Sequence, residues 1–110
     1  MKNEQEGMLK ALVKRLMHDV YHMLSACVWL DEAGKIRDLY LFDTLYSEPE
    51  CPDVKGASEC FLISNHFDGG MHPFDEDIRN LNMLRKVHPQ ASCHLMIYSE
   101  YEDIIEVKDV

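Results

Sequence analysis

Residues 24–42 run Leu24-Ser25-Ala26-Cys27-Val28-Trp29-Leu30-Asp31-Glu32-Ala33-Gly34-Lys35-Ile36-Arg37-Asp38-Leu39-Tyr40-Leu41-Phe42, and their reading decides the fold. Leu24, Ala26, Val28 and Leu30 alternate with Ser25, Cys27, Trp29 and Asp31, the two-residue period of a strand. Asp31-Glu32-Ala33-Gly34 supplies a short turn in which Gly34 can take a left-handed conformation, and a second strand is expected from Lys35 to about Leu45. The pair reads as a hairpin. Leu39, Tyr40, Leu41 and Phe42 are apolar on both faces, which predicts a central strand or one in contact with another copy of the chain.

Upstream of the hairpin the period is helical. Leu9, Leu12, Val13, Leu16, Met17, Val20 and Leu24 recur at i, i+3, i+4 and i+7, with Glu4 and Glu6 near the start, where they oppose the helix dipole. Lys10, Lys14, His18 and His22 form a polar stripe on the flank and back of that helix.

Downstream, Ser47 to Ser58 carries Pro49, Pro52 and Gly56 and reads as a polar loop. Cys60 to Phe67 reads as a third strand, ended by Gly69-Gly70. A second helix is expected from an Asp75 N-cap, with Ile78, Leu81 and Leu84 as its apolar stripe and Pro89 as its stop. Ser92 to Ser99 reads as a fourth strand and Ile104 to Val107 as a fifth. The order α-β-β-β-α-β-β predicts an α+β domain over residues 1–110, with a largely antiparallel four- or five-stranded sheet and two helices.

Charge bounds the function. The formal net charge is −9, but residues 1–37 hold six Lys/Arg against five Asp/Glu, so the remaining 73 residues carry −10. Such a field repels phosphate backbones and steers towards cations, so the expected partner is a basic protein surface rather than nucleic acid. Charged residues interrupt every apolar stretch, which argues against a secretory signal and a membrane span and predicts a cytoplasmic protein. In that compartment Cys27, Cys51, Cys60 and Cys93 are expected as thiols.

No glycine-rich phosphate loop, nucleophile elbow or dinucleotide fingerprint occurs, so neither a cofactor nor a catalytic residue is expected. Two groupings nonetheless carry metal-ligating side chains. His18 and His22 stand at i and i+4 with Asp19 between them, the spacing that lets two imidazoles reach one zinc ion. His66 and His72 flank a glycine-containing segment that also reads as a capped strand-to-helix connection.

The remaining candidate is surface. Glu48, Glu50 and Asp53 in the long loop, with Tyr98, Glu100, Tyr101, Glu102 and Asp103 near the fifth strand, present carboxylates beside aromatic anchors. That combination suits recognition of an Arg/Lys-rich surface. The leading expectation is therefore a non-catalytic binding protein of the inhibitor, immunity or accessory type, with an acidic face that imitates nucleic acid. A zinc-binding protein or metal-dependent hydrolase and a homodimeric structural subunit are the alternatives.

Overall fold

In the computed structural model, residues 3–20, 23–45, 54–67 and 70–110 are described. They form α1 (Asn3–Met17), β1 (Leu24–Asp31), β2 (Ile36–Asp43), β3 (Ala57–Asn65), α2 (Asp75–Val87), β4 (Ser92–Ser99) and β5 (Ile104–Lys108), the element order expected from the sequence. The strands make one sheet in the order β2-β1-β3-β4-β5.

Alternation along β1 sorts its side chains between two cores. Ala26, Val28 and Leu30 pack with Leu9, Val13 and Met17 of α1 and with Phe61, Ile63, Met96 and Tyr98. Cys27 and Trp29 pack on the opposite face with Leu81 and Leu84 of α2 and with Cys60, Leu62, Cys93, Leu95 and Ile97. The result is three layers, with α1 and α2 covering opposite faces of the sheet. Residues 25–30 of β1 are all buried, because each face of that strand meets a helix. Burying each large apolar side chain contributes about 1.5–3 kcal/mol.

The sheet is largely antiparallel, as expected, and is mixed by one parallel pair. β1 pairs antiparallel with β2 and with β3, and β4 pairs antiparallel with β5, but β3 and β4 run parallel from Glu59↔Ser92 to Asn65↔Tyr98. A parallel pair needs a crossover connection, and α2 is that crossover. Of the two alternatives for β2, a central strand or one in contact with another copy of the chain, the first does not hold. β2 is an edge, with Leu41 45% exposed, and the strands buried on both faces are β1, β3 and β4.

α1 ends at Met17 rather than running on to Leu24, because Asp19 takes φ 60° and turns the chain out of the helix. β3 starts at Ala57, three residues earlier than expected, and so takes in the last two residues of the loop expected from Ser47 to Ser58; residues 46–53 lie outside the described residues. The N-cap of α2 is Phe74, not Asp75. Its N–H donates to Asp77 Oδ2 at 2.9 Å, and Asp75 occupies the first turn. β4 spans the expected residues, and β5 extends one residue further.

The hairpin turn is tied by its first residue. Asp31 Oδ1 accepts from the N–H groups of Ala33 and Lys35, each at 2.9 Å, and Gly34 takes φ 82°. A Cβ on Gly34 would also fall on the Gln5 side chain, which the first turns of α1 bring over the hairpin. Gly34→Ala should therefore lose about 1 kcal/mol or more of stability by denaturant unfolding. Leu84→Ala, which opens a cavity in the α2-side core, should lose about 2–5 kcal/mol in the same measurement.

Candidate functional site

Two polar clusters stand out, one exposed and one buried. The exposed cluster joins the end of α1 to the β4–β5 turn. His18 follows the last residue of α1 and sets Nδ1 3.0 Å from Glu100 Oε1 and Nε2 3.6 Å from Asp19 Oδ2. The Asp19 N–H donates to Glu100 Oε2 at 2.8 Å, a bond made accessible by the left-handed turn at Asp19. One turn earlier on α1, Lys14 Nζ reaches Asp103 Oδ1 at 3.2 Å. The turn is anchored from beneath, where Tyr101 N–H donates to Phe67 O at 3.0 Å.

This turn holds the part of the predicted acidic surface that is described. Glu100 is half-buried against His18, while Tyr101, Glu102 and Asp103 are exposed, Tyr101 at 81%. Lys14 and His18 meet the carboxylates of Asp103, Asp19 and Glu100, while Glu102 is exposed beside them in sequence. Beside the turn, between α1 and β5, an open groove of about 330 Å³ is lined by Lys10, Lys14, Asp103, Ile104, Ile105 and Glu106. Glu48, Glu50, Asp53 and Tyr46 lie outside the described residues.

Tyr98 does not belong to that surface. It is 2% exposed and packs in the α1-side core, because strand alternation turns it inward at the position that pairs with Asn65. Burial holds its phenol above the ordinary value of 10.0, and the Glu100, Asp103 and Asp19 carboxylates add to the shift.

The buried cluster was not anticipated as a unit. His66, just beyond β3, has Nε2 2.8 Å from Asp77 Oδ2 and Nδ1 3.0 Å from Gly70 O, and its ring stacks on Phe74 at 3.8 Å between centroids. The His66 and Asp77 side chains are 0% and 1% exposed. Gly70 O can only accept, so Nδ1 donates to it, and the remaining nitrogen is hydrogen-bonded to Asp77 Oδ2. Asp77 Oδ2 meanwhile accepts the Phe74 N–H at the start of α2. One carboxylate thus fixes the chain where it leaves β3 and where it enters α2. Asp77 Oδ1, both amide atoms of Asn80 and the Ser64 hydroxyl are buried there without a hydrogen-bond partner among the described residues.

The sequence-predicted metal groupings fare unequally. His18 lies beyond the end of α1, and His22 lies outside the described residues. His18, Asp19 and Glu100 instead bring three ligand atoms within 4.8 Å of one another. His72 is exposed, whereas His66 is wholly enclosed and directed to Asp77. The signal that escaped notice was the eleven-residue separation of His66 and Asp77, which becomes a contact only because α2 folds back over the end of β3.

Cys27, Cys60 and Cys93 are buried free thiols on the α2 side, as expected of small apolar residues. Hydrogen bonding to Cys27 and Cys93, together with burial, pushes the Cys60 thiol up, which keeps it protonated and unreactive. Among the described residues, no helix is long and apolar enough to cross a membrane. Comparison of the chain with known protein families, with characterised proteins and with solved structures finds no match.

Two outcomes follow from this geometry. His66→Ala leaves the buried Asp77 carboxyl without its side-chain hydrogen-bond partner and should cost about 1–3 kcal/mol or more of unfolding free energy. Adding Asp77→Ala to it should cost much less than the sum of the two single changes. Because the folded state holds the Tyr98 proton more tightly than the unfolded chain, its stabilisation is complete at neutral pH. It is lost as pH rises past about 10 and through the folded value. Tyr98→Phe should therefore flatten the fall in denaturant midpoint between about pH 9 and about pH 11.

Proposed function

We propose that this chain is a non-catalytic binding protein whose β4–β5 turn engages a basic surface on a protein partner. The observation that carries the reading is Tyr101, 81% exposed at the tip of a turn bordered by Glu100, Glu102 and Asp103. Leaving an aromatic ring in water costs hydrophobic free energy that a partner recovers, and tyrosine is a common anchor of interfaces. The flanking carboxylates supply long-range attraction and orientation. The groove beside the turn, with apolar Ile104 and Ile105 between charged walls, gives an approaching side chain a place to pack. Direct nucleic-acid binding is disfavoured by the same charge, and resemblance of the acidic face to a phosphate backbone fits a partner that itself binds nucleic acid.

An arginine-rich peptide serves as a probe. Its affinity should fall as ionic strength rises, and Tyr101→Ala combined with Glu102→Gln and Asp103→Asn should weaken it about tenfold or more by fluorescence anisotropy. Glu32→Gln, an exposed acid at the hairpin tip, should change it less than about twofold. Equal losses at the two places would show attraction to net charge without a site, and the reading would fail.

A second reading is favoured by the buried pair. His66 and Asp77 offer two ligand atoms 2.8 Å apart at the carboxyl end of β3, where ligands of parallel-stranded sheets commonly bind. Elemental analysis of the purified protein separates the two: stoichiometric zinc that disappears in His66→Asn supports a metal centre, and its absence leaves the pair as a structural clamp.

A further inference from the structure

We propose that β2 is the surface through which two copies of this chain associate, by antiparallel pairing centred on Tyr40. The two edges of the sheet differ. β5 is five residues long, short for an edge that pairs with another strand. β2 is eight residues long, and Ile36, Leu41 and the adjoining Leu45 are 42%, 45% and 43% exposed. Among the described residues no strand pairs with its outer side.

The direction of the backbone groups limits how a second copy can add. Thr44 N–H donates to Met23 O at 3.0 Å, so Thr44 faces β1. The unbroken register from Leu24↔Asp43 to Trp29↔Asp38 then turns Phe42 and Tyr40 towards β1, and Leu39, Leu41 and Asp43 outward. Leu39 N–H agrees with this, since it is held by its neighbour Asp38 Oδ1 at 2.8 Å rather than by β1. An added antiparallel strand must match outward residues with outward residues, which leaves two-fold axes at Leu39, Tyr40 or Leu41.

On the α1 side, only the central choice is self-complementary. With the axis at Tyr40, Leu39 lies opposite Leu41 of the second copy, and Arg37 opposite its Asp43. An axis at Leu39 sets Arg37 against Leu41, and an axis at Leu41 sets Leu39 against Asp43. Leu39 and Leu41 both lie on the α1 side, where Leu39 is half-buried against the core and Leu41 is not covered. Pairing therefore brings four leucines together and continues the α1-side core across the axis. Arg37, the extra residue at the bulge between Asp38 and Ile36, is exposed at the end of the same ladder. The bond from Leu39 N–H to Asp38 is exchanged for one to the second copy. This interface lies at the opposite edge of the sheet from the acidic turn and stands independently of it.

Sedimentation of the full chain over about two decades of concentration should show a monomer–dimer equilibrium, and Leu41→Lys should shift it to monomer at every concentration. Val107→Lys on β5, also exposed, should leave it unchanged. In a Cys51→Ser background, Tyr40→Cys should cross-link to a covalent dimer on mild oxidation, because paired residues on the axis approach to within disulfide range. Asp38→Cys should not. A wild-type chain that is monomeric throughout, a dimer that survives Leu41→Lys, or preferential cross-linking through Leu39→Cys or Leu41→Cys would each overturn the proposal.

Discussion

Three strands of this protein are buried on both faces, and everything else is arranged to keep them so. β1, β3 and β4 place apolar side chains on each side of the sheet, and a single helix can cover only one side. The chain therefore supplies α1 before the hairpin and α2 within the crossover, on opposite faces. Removing either helix would expose one complete layer of side chains, so neither helix is an accessory to the fold.

With the middle of each strand committed to burial, polar chemistry is displaced to the strand ends, and the two clusters there differ in kind. The His66–Asp77 pair is enclosed, so its hydrogen bonds form in a low-dielectric setting and losing one partner exposes the full desolvation penalty of the other. The contacts among Lys14, His18, Asp19, Glu100 and Asp103 are open to water, where each such pair contributes about 0–1 kcal/mol. One cluster fixes the geometry of α2. The other leaves charge free to interact with whatever approaches.

The sequence made periodicity legible and contact partly so. The change of period near Leu24, the β4 run from Ser92 and the stop of α2 at Pro89 all depend on neighbouring residues, and all were readable. β2 was not, because Leu39–Phe42 has the same doubly apolar pattern whether the second face meets a helix or the solvent. The parallel pairing of β3 with β4 also escaped, although the helix between the two strands is the signature of a parallel crossover. His18 lies past the end of α1, where Asp19 turns the chain, and the His66–Asp77 contact was invisible because it joins two elements. Of the expected acidic surface, Tyr101, Glu102 and Asp103 are exposed and Glu100 half-buried, whereas strand alternation turns Tyr98 inward.

The crossover also bears on how the chain assembles. The β1–β2 hairpin closes over a turn of a few residues, but Glu59 must wait for Ser92, more than thirty positions later, before β3 acquires its second neighbour. Closing so long a loop is entropically costly and slow relative to forming a hairpin. During synthesis β3 thus emerges from the ribosome with Cys60, Phe61, Leu62 and Ile63 bared along an open edge until β4 follows. That interval, rather than the finished protein, is where the chain is most exposed to aggregation and most in need of chaperone protection.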